Sequence, residues 1–309
     1  MKTGIIGGGG RVGSCAAFAL QCGGTVDEVV LLDTNADAAA GEAMDLGHGA
    51  PAAADQRFRA GTYDDLADAA IVVITAGVRR QADESRLDLI HRNVKLFVEI
   101  LDALRAARLR DDAILLVVSN PVDILTRLAV ERTGRCPDRI IGLGTLLDSM
   151  RFSAMIAEEA RVAPADVRAT ILGEHGDSMV PIWSSATIGG LPAIHWPGLN
   201  PAVQARLLER TRAAGAEVIR LKGGAGWAVA LAIRQIVEAI AHNRRRVLPV
   251  SSRQNGAFGI RRTCLSVPTV IDCRGVVARV EVELWPKERA ALQSSASTLD
   301  ETYAKVSAV

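Results

Sequence analysis

Apolar runs of strand length recur along the first half of the chain, at residues 2–6, 29–33, 70–77, 113–119 and 139–144. Each is almost wholly apolar, which is the pattern of strands covered on both faces. Between them lie stretches whose apolar residues repeat at helical spacing: Ser14 to Leu20, 36–46, 85–108 and 122–132. Strand and helix therefore alternate, and the pattern predicts a doubly wound parallel sheet over residues 1–143. Beyond that point the texture changes. A helix is predicted over 148–162, strand-like pieces over 167–173 and 179–192, and long helices over 201–220 and 227–244. Short strands at 265–271 and 276–284 and a final helix at 286–307 complete an α+β second half, residues 144–309. The junction near 143–145 is expected to be tight, with the chemistry beside it.

Composition adds limits. The chain has 309 residues, and hydrophobic residues make up 49 %, enough to bury a large core and most naturally two lobes. Lys and Arg number 36 against 35 Asp and Glu, so no basic excess points to nucleic acid. No apolar run reaches membrane-spanning length, and the N-terminal apolar run breaks into glycines too early for a secretory signal. Five cysteines without CxxC spacing (Cys15, Cys22, Cys136, Cys264, Cys273) read as buried free thiols of a cytoplasmic protein, with no metal site expected.

The segment IIGGGGRVGS follows a predicted strand and opens a helix. It contains G-x-G-x-x-G as Gly8, Gly10 and Gly13, with Val12 inside it; a register through Gly7 and Gly9 is also open. In such a loop the first glycine permits the turn, the second lets backbone approach a pyrophosphate, and the third lets helix pack on strand. The helix N-terminus then supplies N–H donors to the phosphates. Asp33 ends the next strand, 20 residues past Gly13. A carboxylate there accepts from the ribose hydroxyls and repels a 2′-phosphate, so NAD is expected rather than NADP. Taken singly, the loop is also compatible with a surface turn and Asp33 with a strand-end turn residue.

Hydride arriving at a ketone carbon requires a proton donor for the oxygen and a cation for the developing charge. A substrate carboxylate is best clamped by a guanidinium. His175, in a G-E-H-G-D turn, is the candidate acid/base. A neighbouring carboxylate would hold it protonated. Asp148 and Arg151 are spaced i, i+3 and share a helix face, as a catalytic pair or as a plain surface ion pair.

Six strings carry a resemblance to a known family: GEAMDLGHG (41–49), ITAG (74–77), ESRLDLI (84–90), SNPVDILT (119–126), GLGTLLDSMRF (142–152) and GEHGDSMVP (173–181). In order and spacing the chain resembles the lactate/malate dehydrogenase family over nearly its whole length. The resemblance implies NAD as cofactor and a small 2-oxo/2-hydroxy acid as substrate. It makes His175 the proton donor/acceptor paired with Asp148, and Arg151 the carboxylate clamp. Arg86 becomes the carbonyl-polarising residue of a closing loop, and Asn120 a hydrogen-bond donor to substrate near the nicotinamide. Tyr63, Gly77, Val78 and Thr145 match positions near the cofactor. The resemblance also implies a homodimer or homotetramer, with the helices at 36–46 and 148–162 contributing to the contact.

Substrate choice in the family turns largely on the residue six positions before the polarising arginine, usually Gln in lactate-type and Arg in malate-type members. Here it is Arg80, which favours malate/oxaloacetate. Glu84 and the GEHGDS turn are more lactate-like, and residues 79–83 lack the family's usual prolines and glycine. Asp83 is available to pair with Arg79 or Arg80 and blunt their effect. Ala225 stands at the pocket wall where lactate-type members usually carry Thr, and Gly226 beside it is small. That wall suits malate-type members, or a bulkier side chain as in 2-hydroxyisocaproate-type relatives. L-lactate and broad-range L-2-hydroxy acid dehydrogenases are thus the alternatives. A non-catalytic NAD-binding protein needs the glycine loop and Asp33, but not the polar set around His175.

Two residues after the clamp, some bacterial lactate-type members carry an arginine through which fructose 1,6-bisphosphate activates them; here the residue is Ser153. Adding the bisphosphate to a steady-state assay should leave KM and kcat unchanged, and a sharp rise in activity would refute this.

Overall fold

The computed structural model describes residues 1–78 and 85–306, with Arg86 described by its backbone alone. Strands β1 (Lys2–Ile6), β2 (Glu28–Leu32), β3 (Arg57–Ala60), β4 (Ile71–Ile74), β5 (Ile114–Val117) and β6 (Ile140–Gly142) run parallel in the order β3-β2-β1-β4-β5-β6. Helices α1 (Arg11–Gly23), α2 (Ala36–Ala53), α3 (Arg86–Ala106) and α4 (Val122–Thr133) make the connections. Every residue of β4 and β5 is buried, which explains their unbroken apolar runs. Strand order reverses between β1 and β4, and such a switch point opens a crevice at the carboxyl ends of the strands. The glycine loop, residues 75–78, Ser119–Asn120 and Leu143–Thr145 all leave the sheet at that edge.

After β6 the chain enters α5 (Leu146–Ala160) through Gly144, whose φ of +57° makes the tight junction. A three-stranded antiparallel sheet follows, β7 (Val167–Leu172), β8 (Val180–Ile188) and β9 (Leu191–Pro192). Then come α6 (Pro201–Lys222), α7 (Trp227–Ala241), the antiparallel strands β10 (Arg246–Asn255), β11 (Arg261–Asp272) and β12 (Gly275–Arg279), and α8 (Pro286–Val306). Ser251 of β10 pairs with Gly142 of β6, so the parallel sheet continues into these strands as one sheet of nine.

The α/β class and the alternation are as the hydrophobic pattern predicts. Two strands were not visible in it. β10 buries Leu248 and Val250 around Pro249 and then Ser251, Ser252 and Gln254, so its apolar stretch is short and its buried second half is polar. β3 is an edge strand reading Arg-Phe-Arg-Ala, none of it fully buried. α2 runs past residue 46 to Ala53, with Pro51 in its last turn. The cysteines also differ from expectation. All five are free, but Cys22, Cys136 and Cys273 are exposed and only Cys264 is fully buried. Among the described residues no helix is long and apolar enough to cross a membrane.

The glycine loop divides its labour differently from the sequence reading. The turn is made at Gly7, with φ +86°, rather than at Gly8. A Cβ on Gly8 would lie 2.8 Å from the Leu31 Cβ, so this glycine serves the packing of the loop on β2. A Cβ on Gly13 would lie 2.2 Å from the Gly7 carbonyl oxygen and 2.8 Å from the Gly8 Cα. Backbone has to move to admit it, at a cost of about 1–3 kcal/mol. Gly13→Ala should therefore weaken NADH binding by about 10- to 100-fold, as read by cofactor fluorescence titration. Wild-type affinity in the variant would show that the close contact is not required.

Candidate active site

The cofactor side is built from the ends of β1, β2, β4 and β5. α1 follows Gly10 at its N-cap, with no side-chain cap and no carboxylate in its first turn. Its leading N–H groups are thus available to an anion, with the helix dipole favouring one. Val12 lies in that first turn, half-buried against the core. Asp33 closes the cradle. Its Oδ2 accepts the Gly9 N–H at 3.1 Å and its Oδ1 the Asn35 N–H at 3.1 Å, which fixes the carboxylate beside the loop. These residues fit a dinucleotide: glycines whose missing side chains bring the loop close, an uncapped helix, and a braced carboxylate for the ribose.

Gly77 and Val78 leave β4 under the hold of Asn93 on α3. The Val78 N–H donates to Asn93 Oδ1 at 3.0 Å, and Asn93 Nδ2 donates back to the Val78 carbonyl at 3.4 Å. Asn120 is exposed at the end of β5, and its neighbour Ser119 donates to the Ala76 carbonyl at 2.5 Å, tying the two loops together. Tyr63, half-buried beyond β3, has its phenol pKa raised by burial. Thr145 is a correction. It is fully buried, and its hydroxyl donates to the Ile171 carbonyl at 2.5 Å while its N–H donates to Ser266 Oγ at 2.9 Å. With no exposed surface, it locks α5 onto β7 and β11 and does not line the cofactor crevice.

The catalytic side centres on Asp148, in the first turn of α5 and only 1 % exposed. Its Oδ2 meets His175 Nδ1 at 2.5 Å, and its Oδ1 meets Arg151 Nη1 at 3.2 Å. A surface ion pair is thereby excluded. Burial pushes the Asp148 carboxyl upward, but the charges and hydrogen bonds of His175 and Arg151 outweigh this and hold it below its ordinary value. Burial alone would lower the His175 pKa; Asp148, helped by Asp123, raises it, while Arg151 opposes. With Nδ1 committed to Asp148, Nε2 is left for a substrate. Arg151, 15 % exposed, uses one nitrogen on Asp148 and keeps the rest of its fork.

The turn carrying His175 is pinned from three sides. Gly173, at φ +85°, exchanges backbone hydrogen bonds with Ser266 of β11. The Glu174 N–H donates to Ser295 Oγ of α8 at 2.9 Å, and the His175 N–H donates to Asp123 Oδ2 of α4 at 2.8 Å. Sequence reasoning missed Asn93, Asp123, Ser266 and Ser295. Asp123, the Asp of SNPVDILT, carried the one available signal, an ionisable residue inside an apolar helix start.

Arg80 lies outside the described residues, as does the side chain of Arg86, which begins α3 behind the Ser85 cap. Ala225 is half-buried in the α6–α7 connection. Gly226 does not widen a pocket: a Cβ there would lie 2.8 Å from Cys15 Sγ, so its smallness serves the packing of this connection on α1. No cluster of metal-binding side chains occurs among the described residues.

Two family models match the chain. One, described as lactate/malate dehydrogenase, NAD binding domain, covers residues 1–142. The other, lactate/malate dehydrogenase, alpha/beta C-terminal domain, covers residues 145–309. An L-lactate dehydrogenase of Gloeobacter violaceus is 42 % identical over 305 residues, 97 % of this chain and 92 % of that one. An L-lactate dehydrogenase of Salinibacter ruber is 42 % identical over 310 residues, 98 % of this chain and 96 % of that one. Among solved structures, the ligand-bound minor L-lactate dehydrogenase of Enterococcus mundtii superposes with a TM-score of 0.93 at 35 % identity, covering 99 % of this chain and 98 % of that one.

Because Asp148 is the main group raising the His175 pKa, Asp148→Asn should lower the midpoint of the imidazole titration by about 1–3 pH units. Proton NMR of the ring measures it directly. An unmoved midpoint would mean the carboxylate does not hold the imidazolium.

Proposed function

The chain belongs to the lactate/malate dehydrogenase family, and within it we propose that it is an L-lactate dehydrogenase reducing pyruvate with NADH. It is an NAD-dependent oxidoreductase of the 2-hydroxy acid class. The observation that carries the chemistry is the single buried carboxylate of Asp148, joined to His175 at 2.5 Å and to Arg151 at 3.2 Å. Such a pairing presents a proton donor and a carboxylate clamp at a fixed separation.

NADH, when bound, supplies the hydride that reduces the 2-carbon. Arg151 holds the substrate carboxylate with the nitrogens that Asp148 leaves unused. His175 Nε2 hydrogen-bonds the ketone oxygen and gives up its proton as negative charge develops there. Asp148 stays ionised and steadies the imidazolium. Asn120 orients the substrate, and Arg86 polarises the carbonyl when its loop excludes water. Tyr63, Gly77, Val78, Val12 and the glycine loop with Asp33 hold the dinucleotide. On this reading residues 1–143 bind cofactor and residues 144–309 supply the acid/base and the clamp. The assembly is a homo-oligomer; Phe18 and Trp227, both more than half exposed, line one surface groove with Leu46 of α2, the helix expected to contribute to the contact.

The preference for oxaloacetate inferred from Arg80 is not supported by the relatives, which are named L-lactate dehydrogenases at 42 % identity. Arg80 keeps malate as the second reading, and one experiment separates the two.

That experiment compares kcat/KM for pyruvate, oxaloacetate and 2-oxoisocaproate in the wild type and in Arg80→Gln. Pyruvate should lead, and the substitution should raise the pyruvate-over-oxaloacetate ratio about tenfold or more. Oxaloacetate leading in the wild type would return the assignment to malate. The pH dependence has a definite sign. Reduction needs the imidazolium, whose pKa is raised, so kcat/KM should hold through neutral pH and fall as pH rises through that value. Lactate oxidation should rise over the same interval.

A further inference from the structure

Asp123 is a buried acid that the mechanism above does not employ. It is the second residue of α4 and only 3 % exposed. One oxygen, Oδ2, accepts the His175 backbone N–H at 2.8 Å. The other, Oδ1, makes no hydrogen bond of full geometry, and the buried Ser251 hydroxyl, likewise unpaired, faces the carboxylate and favours its charged form. The groups that face it are His175 and Glu174 from the turn after β7, and the buried Ser251 hydroxyl from β10. Cys264 of β11 is a further titratable neighbour, kept as the thiol by burial. His175 is faced by Asp148 and Arg151 from α5 and by Asp123 from α4.

Anchoring a backbone N–H needs only an acceptor. An amide or hydroxyl would serve, without the penalty of placing a carboxylate in the interior. The first turn of a helix favours negative charge, but by a modest amount that does not explain complete burial. An anion at this position is accounted for when a cation forms beside it, and the group that becomes cationic here is the His175 ring.

We propose that Asp123 is a positioning residue acting through His175: it fixes the backbone of the turn and, as a carboxylate, joins Asp148 in stabilising the imidazolium. The inference rests on the acid/base reading of His175. Burial pushes the Asp123 pKa up to about 6, so the carboxylate is the major form at neutral pH, when it can oppose the imidazolium. His175 then has one anion on its ring and a second on its backbone N–H, from two helices, with Glu174 and Asp177 the acidic groups of its own turn.

Asp123→Asn tests this, because it keeps the size and an acceptor oxygen and removes only the charge. The alkaline limb of kcat/KM for pyruvate reduction should move to lower pH by about 1 unit, and the ring titration of His175 by NMR should move with it. Asp123→Ala, equally uncharged but without any acceptor, should give the same shift and in addition lower kcat about tenfold, since the N–H anchor is lost. A limb and a ring midpoint that coincide with wild type in both variants overturn the proposal. That outcome leaves the dehydrogenase reading intact, since the wild type still reduces pyruvate. If the wild type reduces no 2-oxo acid, the acid/base reading fails instead, and the NMR titration still judges the electrostatic link.

Discussion

One carboxylate in the interior organises this molecule. Asp148 is almost inaccessible to water, and an ionised carboxyl in that position is costly unless paired on both oxygens. It is paired on both, with the ring of His175 and the guanidinium of Arg151. The ring and the guanidinium need it as much as it needs them, because among the described residues neither side chain forms an ion pair with another carboxylate. In the proposed mechanism, removing Asp148 would therefore release the proton donor and the carboxylate clamp together. A single residue sets the separation between the two groups that a 2-oxo acid must bridge.

The fold makes this residue available by the shortest route. β6 ends at Gly142, the chain turns through Gly144 in a left-handed conformation, and Asp148 falls in the first turn of α5. A Cβ on Gly144 would lie 2.2 Å from Ser266 Oγ and 2.4 Å from the Ser251 N–H nitrogen, so the junction runs hard against β10 and β11. The same two strands reach the histidine turn: Ser266 holds Gly173 and Ser251 faces Asp123. The antiparallel extension of the sheet thus braces the junction and the catalytic turn against each other. Catalysis of this kind depends on separations held to fractions of an ångström, and two adjacent strands fixing both partners is a means to that end.

Much of this was legible in the sequence, for physical reasons that also explain what was not. Strands buried on both faces must be apolar throughout, so β1, β2, β4, β5 and β6 announce themselves. Asp33 and the glycines stand out because a backbone close to phosphate tolerates few residue types. His175 with Asp148 and Arg151 was readable from residue type, helical spacing and the resemblance together. Residues that work through packing or backbone contacts were hidden. The second half of β10 is polar although buried, Thr145 turns inward where the family resemblance suggested a cofactor contact, and Gly226 is small for the sake of Cys15. Asp123 was in plain view within SNPVDILT, yet nothing in one dimension reveals that its partner is a backbone N–H 52 residues away.

The substrate question has the same logic. Pyruvate and oxaloacetate share the carboxylate and the ketone, so the groups around Asp148 treat them alike. They differ by a second carboxylate, and the difference must be registered by charge elsewhere. Arg80 considered alone would demand that second anion, since an unpaired guanidinium in a water-free site is expensive. But the charged residues from the end of β4 to the start of α3 are Arg79, Arg80, Asp83, Glu84 and Arg86. In formal charge two acids offset two of these three arginines, and the net charge that remains is that of one guanidinium. With Arg151 taking the carboxylate common to both substrates, the charge left over is what a ketone oxygen in a reducing site requires. The sequence charge of residues 79–86 therefore makes a weaker demand for a dicarboxylate than Arg80 read in isolation, which is in keeping with the proposed L-lactate reading.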